Sequence, residues 1–414
     1  MADRAIEFRV WLKAGRERSV ERRHPWVYSG AIERLEGRPG SRAGGLGEIV
    51  SASGEWLATA IVDPQASLVG RILRFEPGPV DAAWFSETLA RAVALRGEII
   101  PPGTDAYRLI HAEGDGLPGL IVDRYGAYLG VQWLTAGMER LKELWLAALV
   151  SRVRPRGIVV RGGGPGAGGP PGLPGEVAWG EAPPQDLVVH ECGLRFRIDL
   201  LRGQKTGFYL DQRENRRRLA PLARGRRMLN AFAYTNAFGV HAGRAGARQV
   251  VAVETSARAL SLAEENWRLN DLPADRLELV REPVQRYLRR SEEPFELIVL
   301  DPPAFAKAHG QRDRAARAYK DLNLWALRRL APGGWLATFS CSQHVDASLF
   351  QKILFGASLD ARRPVQWLGR WGAGGDHPVH LDHPQGEYLT GYLLRAPGRG
   401  PEEMESDGEG PVVP

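Results

Sequence analysis

The chain has 414 residues, of which 43% are hydrophobic and 25% are charged, so we expect a globular protein of two or three domains. It contains no run of 18 apolar residues, and its first residues lack the apolar core of a signal peptide, which argues against a membrane span and against secretion. The only two cysteines, Cys192 and Cys341, do not make a disulfide framework. A reducing, cytoplasmic location is therefore the prediction.

The charge is unevenly distributed along the chain. The net charge is +6, but residues 396–414 hold five acids and one base, so the rest of the chain carries about +10. A positive body attracts polyanions through contacts with their phosphates, although many basic proteins bind no nucleic acid. We expect the acidic end, 396–414, to be disordered.

Residues 1–190 predict two small domains. Over 1–75, short alternating stretches at 6–13, 46–51, 56–62 and 68–75 are separated by Gly, Pro and Asp, as in a β-rich domain with tight turns. Over 76–190 we predict a central α+β domain, with helices at 82–99 and 138–153 and strands at 107–111, 120–123 and 128–134. The Gly/Pro-rich stretch 162–175 predicts a loop.

Residues 191–395 predict a third domain, in which strands and helices alternate. Buried strands are predicted at 227–232, 249–254, 277–281, 295–301 and 335–341, with helices near 237–245, 256–270, 283–290, 313–330 and 346–356. This order is typical of an α/β fold with a doubly wound, mainly parallel, Rossmann-like sheet. Such sheets bind ligands where their strands end, so the chemistry should follow Phe232, Glu254, Arg281, Asp301 and Cys341.

Glu254 ends the second of these strands. In nucleoside-binding α/β sheets, an acid at this position accepts hydrogen bonds from two ribose hydroxyls. The alternative is an acid that only stabilises the N-terminus of the next helix.

Asp301 ends the fourth strand and is followed by Pro302 and Pro303. The prolines stop the ladder and open the turn, so the carboxylate should face the crevice, where it can bind an exocyclic amine or a ring nitrogen of a base. The alternative is an ordinary strand-to-loop turn.

Cys341 ends the fifth strand, at the same edge as Asp301. A thiolate there can add to C6 of cytosine, after which the electron-rich C5 takes a methyl group and loses its proton. A lone cysteine in a strand is more often inert core, and core filling is the interpretation that we favour for Cys192. No zinc-ligand spacing, Walker loop or serine elbow is present, so we predict no metal site.

Five strings in this order make the chain resemble a known family, the RNA cytosine-C5 methyltransferases related to the enzymes that modify large-subunit ribosomal RNA. The resemblance covers about 1–395, and the strings are HPWVYSG at 24–30, GDGLPG at 114–119, QKTGFYLDQR at 204–213, DPPAFAK at 301–307 and SCSQHV at 340–345. That family has a PUA domain, a small central α/β domain and a class I methyltransferase domain. The resemblance implies an RNA-binding PUA domain over 1–75 and the methyl donor S-adenosylmethionine (SAM).

The resemblance also implies site residues. Cys341 matches the family's nucleophile, and Asp301 matches its base-contacting acid. The residues that match the cofactor site are Lys205, Phe208, Asp211, Gln212, Arg213, Phe232, Tyr234, Thr235, Asn236, Glu254 and Asp301. Without the resemblance, the polar stretch 202–216 reads as a solvated helix start with Asp211 as the capping acid.

The sequence departs from the family at two places in the cofactor site. The family has two glycines where this chain has Asn236 and Ala237. Glycine lets the backbone approach a ligand or take left-handed dihedrals, and asparagine tolerates such dihedrals better than most residues. The family's adenine-binding Asp aligns with Pro283, so either Glu282 takes the contact from one position earlier or the contact is absent.

The leading hypothesis is therefore a cytosine-C5 methyltransferase that acts on RNA, with 23S ribosomal RNA as the expected substrate. One rival is a non-catalytic RNA-binding or ribosome-assembly protein with a degenerate SAM site, which the changes at Asn236 and Pro283 favour. Another is a methyltransferase of a different base or of a small molecule, which the retained Cys341 disfavours because N-methylation needs no thiol. The sequence leaves the oligomeric state open, with a homodimer among the outcomes.

Overall fold

The computed structural model describes residues 6–161, 175–203, 207–305, 309–342 and 344–398. Lys205, almost all of the predicted loop 162–175, and the acidic end from residue 399 lie outside these residues. Contacts divide the chain into two compact units. The first unit holds 1–191, 198–211 and 375–386, and the second holds 192–197, 212–374 and 387–414. The three-domain division expected from the sequence stays a prediction.

The first sheet of the first unit has six strands in the order β2-β6-β5-β4-β1-β3, in which only the β1–β4 pair is parallel. Its elements are β1 (Phe8–Leu12), α1 (Arg18–Glu21), β2 (Trp26–Tyr28), β3 (Ile32–Gly37), β4 (Gly45–Val50), β5 (Trp56–Val62) and β6 (Leu68–Arg74). Burial alternates along β1, where Val10 is fully buried, whereas β4 and β5 are buried at most positions, including Ile49 and Val62. These residues belong to one core, and the period-2 pattern holds for β1.

The second sheet of the first unit has the order β11-β10-β9-β8-β7. Its elements are α2 (Ala82–Ile99), β7 (Ala106–His111), β8 (Leu120–Tyr125), β9 (Tyr128–Trp133), α3 (Ala136–Arg140), α4 (Lys142–Val153), β10 (Gly157–Arg161) and β11 (Glu176–Gly180), and the strand β12 (Val188–Glu191) follows them in the chain. Helix α2 begins where the Asp81 carboxylate accepts a hydrogen bond from the Trp84 N–H at 2.9 Å. The single helix predicted over 138–153 is wrong, because the chain forms two helices that meet at Leu141.

The second unit is built on a seven-stranded sheet with the order β16-β15-β14-β17-β18-β20-β19. Its elements are β13 (Leu194–Arg197), α5 (Arg213–Leu219), β14 (Arg227–Ala231), α6 (Ala237–Arg244), β15 (Gln249–Glu254), α7 (Ala257–Leu269), β16 (Leu277–Arg281), α8 (Val284–Arg290), β17 (Phe295–Leu300), α9 (Arg312–Arg328), β18 (Leu330–Ser340), α10 (Ala347–Ala361), β19 (Gln366–Trp371) and β20 (Thr390–Arg395). Leu229, Val251 and Ile298 are fully buried, as expected of strands covered on both faces.

The strand order predicts where a ligand would bind in the second unit. The five strands β14 to β18 are mutually parallel, whereas β20 pairs antiparallel with both β18 and β19. From β14 the chain first builds outward through β15 and β16, and then returns to the other side of β14 with β17. The order reverses beside β14, and α/β sheets bind ligands at the carboxyl ends of the strands at such a point. The predicted α/β fold is confirmed. Among the described residues, no helix is long and apolar enough to cross a membrane.

The segment Gly375–Gly386 lies between β19 and β20 in sequence but belongs to the first unit. There Arg96 donates to the carbonyl oxygen of Asp376 at 2.8 Å, and the Arg108 N–H donates to its carboxylate at 2.9 Å. The ring of His377 lies 5.0 Å from that of His111, centroid to centroid. The segment thus completes a buried polar network in the first unit.

His111 makes this network sensitive to acid. Arg108 donates to Nδ1 of His111 at 3.0 Å, and since an arginine can only donate, that nitrogen must carry no proton. Burial, followed by the charges of His377 and Arg108, lowers the pKa of His111 to about 2. In the unfolded chain a histidine takes up a proton near pH 6.5. Below that pH, His111 is therefore protonated in the unfolded state but not in the folded state.

We therefore predict that stability is lost as pH falls below 6.5. Between pH 7 and pH 5 this one group should lower the free energy of unfolding by about 2 kcal/mol. His111→Asn keeps an acceptor near Nδ1 but cannot titrate, so its unfolding free energy should fall by about 2 kcal/mol less over the same range. Urea titrations at the two pH values measure this difference, with the exposed His380→Asn as the control. Equal losses in wild type and His111→Asn would contradict the assignment.

Candidate functional site

The predicted site residues of the second unit follow four neighbouring strands at one edge of the sheet. Leu300 of β17 pairs with Thr338 of β18, and Ala231 of β14 pairs with both Val253 of β15 and Leu300. The loops that leave these strands therefore start side by side. They carry Phe232 to Asn236, Glu254, Asp301 and Cys341.

The loop after β14 has an unusual backbone. Phe232, Tyr234 and Asn236 have φ of 60°, 48° and 60°, so every second residue is left-handed although none is glycine. For a bulky residue this conformation is a real outlier, and such strain persists only where the surroundings enforce it. Strained loops of this kind are concentrated at ligand sites.

The Glu254 carboxylate holds this loop in place. One carboxylate oxygen accepts from the Tyr234 N–H at 3.1 Å. The other accepts from the Thr255 N–H at 2.8 Å, the Thr255 hydroxyl at 3.1 Å and the Ser256 N–H at 3.1 Å. A carboxylate offers about four acceptor positions, two on each oxygen, so the oxygen that faces Tyr234 can still accept a hydroxyl donor.

Asn236 is fully buried, and its side chain faces the interior of the helix–sheet layer. Its Oδ1 accepts from the Nδ2 of Asn230 on β14 at 2.8 Å, and a methyl group added at Gly239 would come within 2.0 Å of the same oxygen. The side chain thus occupies the space above a glycine on α6. The absence of a side chain at Gly239 therefore makes room for the buried Asn236 amide.

Thr235, between two left-handed residues, is also buried. Its carbonyl oxygen accepts from Asn266 Nδ2 at 3.1 Å, which ties the loop to α7. Its hydroxyl and the Nδ2 of Asn236 are buried without a hydrogen-bond partner among the described residues. Unsatisfied buried polar atoms are rare, and they are typical of a site that a ligand or water completes.

Asp301 and Cys341 lie on loops that are bound to each other. The half-buried Cys341 thiol donates to the carbonyl oxygen of Pro302 at 3.7 Å. The Ser342 hydroxyl accepts from the Phe305 N–H at 3.1 Å and lies 3.0 Å from the Tyr319 hydroxyl. Burial raises the pKa of Tyr319, so its phenol stays protonated and available as a donor. The sulfur and the carboxylate therefore lie on two loops that are held together by hydrogen bonds.

The residues of the string 204–213 fall in both units. Phe208 and Asp211 are buried and belong to the first unit, and Lys205 lies outside the described residues. Gln212 and Arg213 are buried in the second unit. Gln212 donates to the Asp301 carboxylate at 3.0 Å, and Arg213 donates to Glu214 at 3.3 Å. Gln212 thus contacts a predicted catalytic residue.

Glu282 is engaged by its own helix. Its carboxylate is ion-paired with Arg290 and lies 3.8 Å from Nε of Arg286, both on α8. These pairs give Glu282 a structural role at the start of α8. The adenine contact expected of it stays a prediction.

Sequence reasoning missed four residues that shape the site, which are Asn215, Gly239, Tyr319 and Ser342. Asn215 and Ser342 fall within or beside the motif strings, which was a usable signal. Gly239 and Tyr319 lie in helices, and only the fold shows that they face the loops after β14 and β17.

Comparisons with known proteins agree with this architecture. Residues 175–349 match the family described as S-adenosylmethionine-dependent methyltransferase, and residues 10–75 match a PUA-like domain. A Streptococcus mutans protein described as a SAM-dependent methyltransferase superposes with a TM-score of 0.81 at 21% identity, covering 94% of this chain and 100% of that chain. A methyltransferase structure in complex with SAH superposes with a TM-score of 0.80 and the same coverage. The fold is that of a SAM-dependent methyltransferase with an N-terminal PUA-like domain.

Curated relatives extend the match over nearly the whole chain. The ribosomal RNA large subunit methyltransferase I of Aliivibrio fischeri is 38% identical over 405 residues, which cover 93% of this chain and 98% of that protein. The protein of the same name from Shewanella frigidimarina is 40% identical over 398 residues, covering 94% and 100%. The chain therefore belongs to the ribosomal RNA large subunit methyltransferase I family.

The packing of Asn236 on Gly239 can be tested by a double-mutant cycle. We predict that Gly239→Ala lowers the free energy of unfolding by roughly 1–3 kcal/mol, because the new methyl group overlaps the Asn236 amide. In an Asn236→Gly background the same substitution should cost less than about 1 kcal/mol, since the overlapping atoms are gone and alanine favours a helix. Denaturant titrations of the four proteins measure the coupling. An equal cost in both backgrounds would place the Asn236 side chain elsewhere.

Proposed function

We propose that this protein transfers a methyl group from SAM to C5 of a cytosine in RNA, with large-subunit (23S) ribosomal RNA as the substrate and a covalent Cys341 adduct as the intermediate. The observation that carries the proposal is the placement of a half-buried thiol and a carboxylate on linked loops at the edge where Glu254 also ends its strand. The names of the curated relatives and the PUA-like domain support an RNA substrate.

The Cys341 sulfur is suited to a nucleophilic role. It directly follows a strand whose last residues are buried, while the side chain itself is only half-buried. As a thiolate it adds to C6 of the cytosine, and the electron pair of the C5–C6 bond moves to make C5 nucleophilic. After C5 has accepted the methyl group, loss of its proton to a base re-forms the double bond and expels the thiolate. The thiol is thereby regenerated without any redox change.

Asp301 orients the base in this proposal. Its carboxylate follows the strand next to that of Cys341, and the two prolines after it turn the chain away from the sheet. The carboxyl group at that place can accept a hydrogen bond from the exocyclic amine of a cytosine and, when it is protonated, can donate one to the ring nitrogen N3. To reach both groups, the target base must leave its stack.

The residues present fit the cofactor. Glu254 keeps an acceptor position for ribose hydroxyls, and the buried Thr235 hydroxyl has no partner among the described residues. When bound, SAM supplies an electrophilic methyl group to the nucleophilic carbon. We assign its ribose to Glu254 and its immediate surroundings to Phe232, Tyr234, Thr235 and Asn236, with Phe208, Asp211, Gln212, Arg213 and Glu282 as further expected contacts.

Replacement of Cys341 tests the nucleophile. We expect Cys341→Ala to lower methyl transfer to RNA by at least 1,000-fold, while RNA binding changes little, because only the covalent step is removed. Transfer of a labelled methyl group to ribosomal RNA from a strain that lacks this protein measures the rate, and mass spectrometry locates the product. Cys192→Ala is the matched control and should retain full activity. Normal methylation by Cys341→Ala would eliminate this mechanism.

Replacement of Glu254 tests the cofactor site separately from catalysis. We expect Glu254→Gln to weaken SAM binding by at least tenfold in calorimetry, because an amide nitrogen would replace one of the acceptor oxygens. Glu264→Gln, on the exposed face of α7, serves as the control. If the wild-type protein itself shows no SAM binding at millimolar concentration, the non-catalytic RNA-binding alternative is favoured instead.

A further inference from the structure

A pair of buried amides at the start of α5 connects the backbone of the second unit to Asp301. Gln212 and Asn215 are 1% and 0% exposed. Asn215 Nδ2 donates to the carbonyl oxygen of Gly372 at 2.9 Å and to Oε1 of Gln212 at 2.7 Å. Gln212 Nε2 then donates to Oδ1 of Asp301 at 3.0 Å. A continuous chain of hydrogen bonds therefore ends on the carboxylate.

The direction of each bond in this chain is fixed by chemistry. The backbone carbonyl of Gly372 can only accept, so the Asn215 side chain must turn its NH2 group toward it. That NH2 group also faces Gln212, which must therefore present its oxygen. The NH2 group of Gln212 is left to face Asp301, and the carboxylate oxygen that it meets can only act as the acceptor.

The orientation costs stability. Because the Asn215 NH2 group makes both bonds, its Oδ1 is buried without a hydrogen-bond partner among the described residues. A buried acceptor with no partner loses its hydration without compensation, and an apolar side chain of similar volume would avoid that loss. If Asn215 served only to fill space, an apolar residue of similar volume would give a more stable protein. The arrangement is instead expected where a polar network specifies one geometry.

We propose that Asn215 and Gln212 are positioning residues that fix the rotation of the Asp301 carboxylate and commit its Oδ1 as an acceptor. Any proton that Asp301 holds during the reaction then resides on Oδ2. The inference rests on the proposed function, because it gives Asp301 the role of binding the target base. It adds Asn215 to the residues required for activity and gives Gln212 a role toward the carboxylate in addition to the expected contact with the cofactor.

The first test uses Gln212→Glu, which preserves the shape of the side chain. A second carboxylate within hydrogen-bond distance of Asp301 makes the two groups share a proton, so any limb of the pH profile that Asp301 sets should move to higher pH by one unit or more. The measurement is kcat/KM for methyl transfer between pH 5.5 and 9. The matched control is Asn270→Asp, another buried amide of the second unit, which bonds Asn266 and Arg195 instead. A loss that is equal at every pH, as expected for the control, would overturn the positioning role.

Asn215→Asp removes the NH2 group that anchors the chain. The new carboxylate cannot donate to Gly372, and Gln212 is then free to turn its own NH2 group toward it and away from Asp301. We expect kcat, measured at saturating SAM and RNA, to fall at least tenfold, and calorimetry establishes the SAM concentration that saturates the variant. An unchanged kcat in a protein that binds SAM normally would remove Asn215 from the proposal.

A third test is spectroscopic and does not depend on enzyme activity. In protein labelled with 15N in its amide side chains, the NH2 signal of Gln212 is assigned by its disappearance in Gln212→Glu. We expect this signal to shift in Asp301→Asn and to titrate with pH only when Asp301 is present. A signal that ignores Asp301 would contradict the hydrogen-bond chain. If the signal responds but wild type methylates no RNA, the proposed function falls while the positioning of Asp301 stands.

Discussion

Parallel pairing of β17 with β18 is the constraint on which the site depends. The register that sets Leu300 against Thr338 makes the two strands end at the same edge, so Asp301 and Cys341 emerge on adjacent loops. The Ser342 hydroxyl, shared between Phe305 and Tyr319, then holds the loops together. A shift of this register by one residue would turn the side chains of β18 to the opposite face of the sheet.

The loop after β14 shows how one fold can accept a substitution at a position where glycine is usual. Asn236 has a left-handed backbone. Its side chain packs against Gly239 and accepts a hydrogen bond from Asn230. The Asn236 side chain therefore packs against α6 and adds to the core. Glu254 stabilises the strained backbone by accepting the Tyr234 N–H, so the acid expected to hold the ribose also shapes the loop beside it.

Periodicity predicted much of the fold because buried parallel strands are continuous apolar runs with clear ends. Strands Gln249–Glu254 and Leu277–Arg281 and helix Ala82–Ile99 have the predicted bounds. The pair β19 and β20 was missed, because Gln366–Trp371 is an exposed edge strand with no alternation to read. The predicted strand ends put Asp301, Cys341 and Glu254 at one edge of the sheet, where the strand register also has them, and their roles stay predictions. The motifs gave no information on Tyr319 or Gly239, whose roles come from contacts between elements distant in sequence, nor on the ion pairs that engage Glu282.

The path of the chain through Gly375–Gly386 has a consequence for dissecting the protein into fragments. This stretch is encoded between the last two strands of the second unit, yet its Asp376 supplies the acceptors for Arg96 and for the backbone of Arg108, and its His383 stacks edge-on against Trp26 at 4.4 Å. A truncation after residue 191 would therefore deprive the N-terminal fragment of a piece of its own interior. The two units alternate along the sequence, so neither can be excised by a single cut.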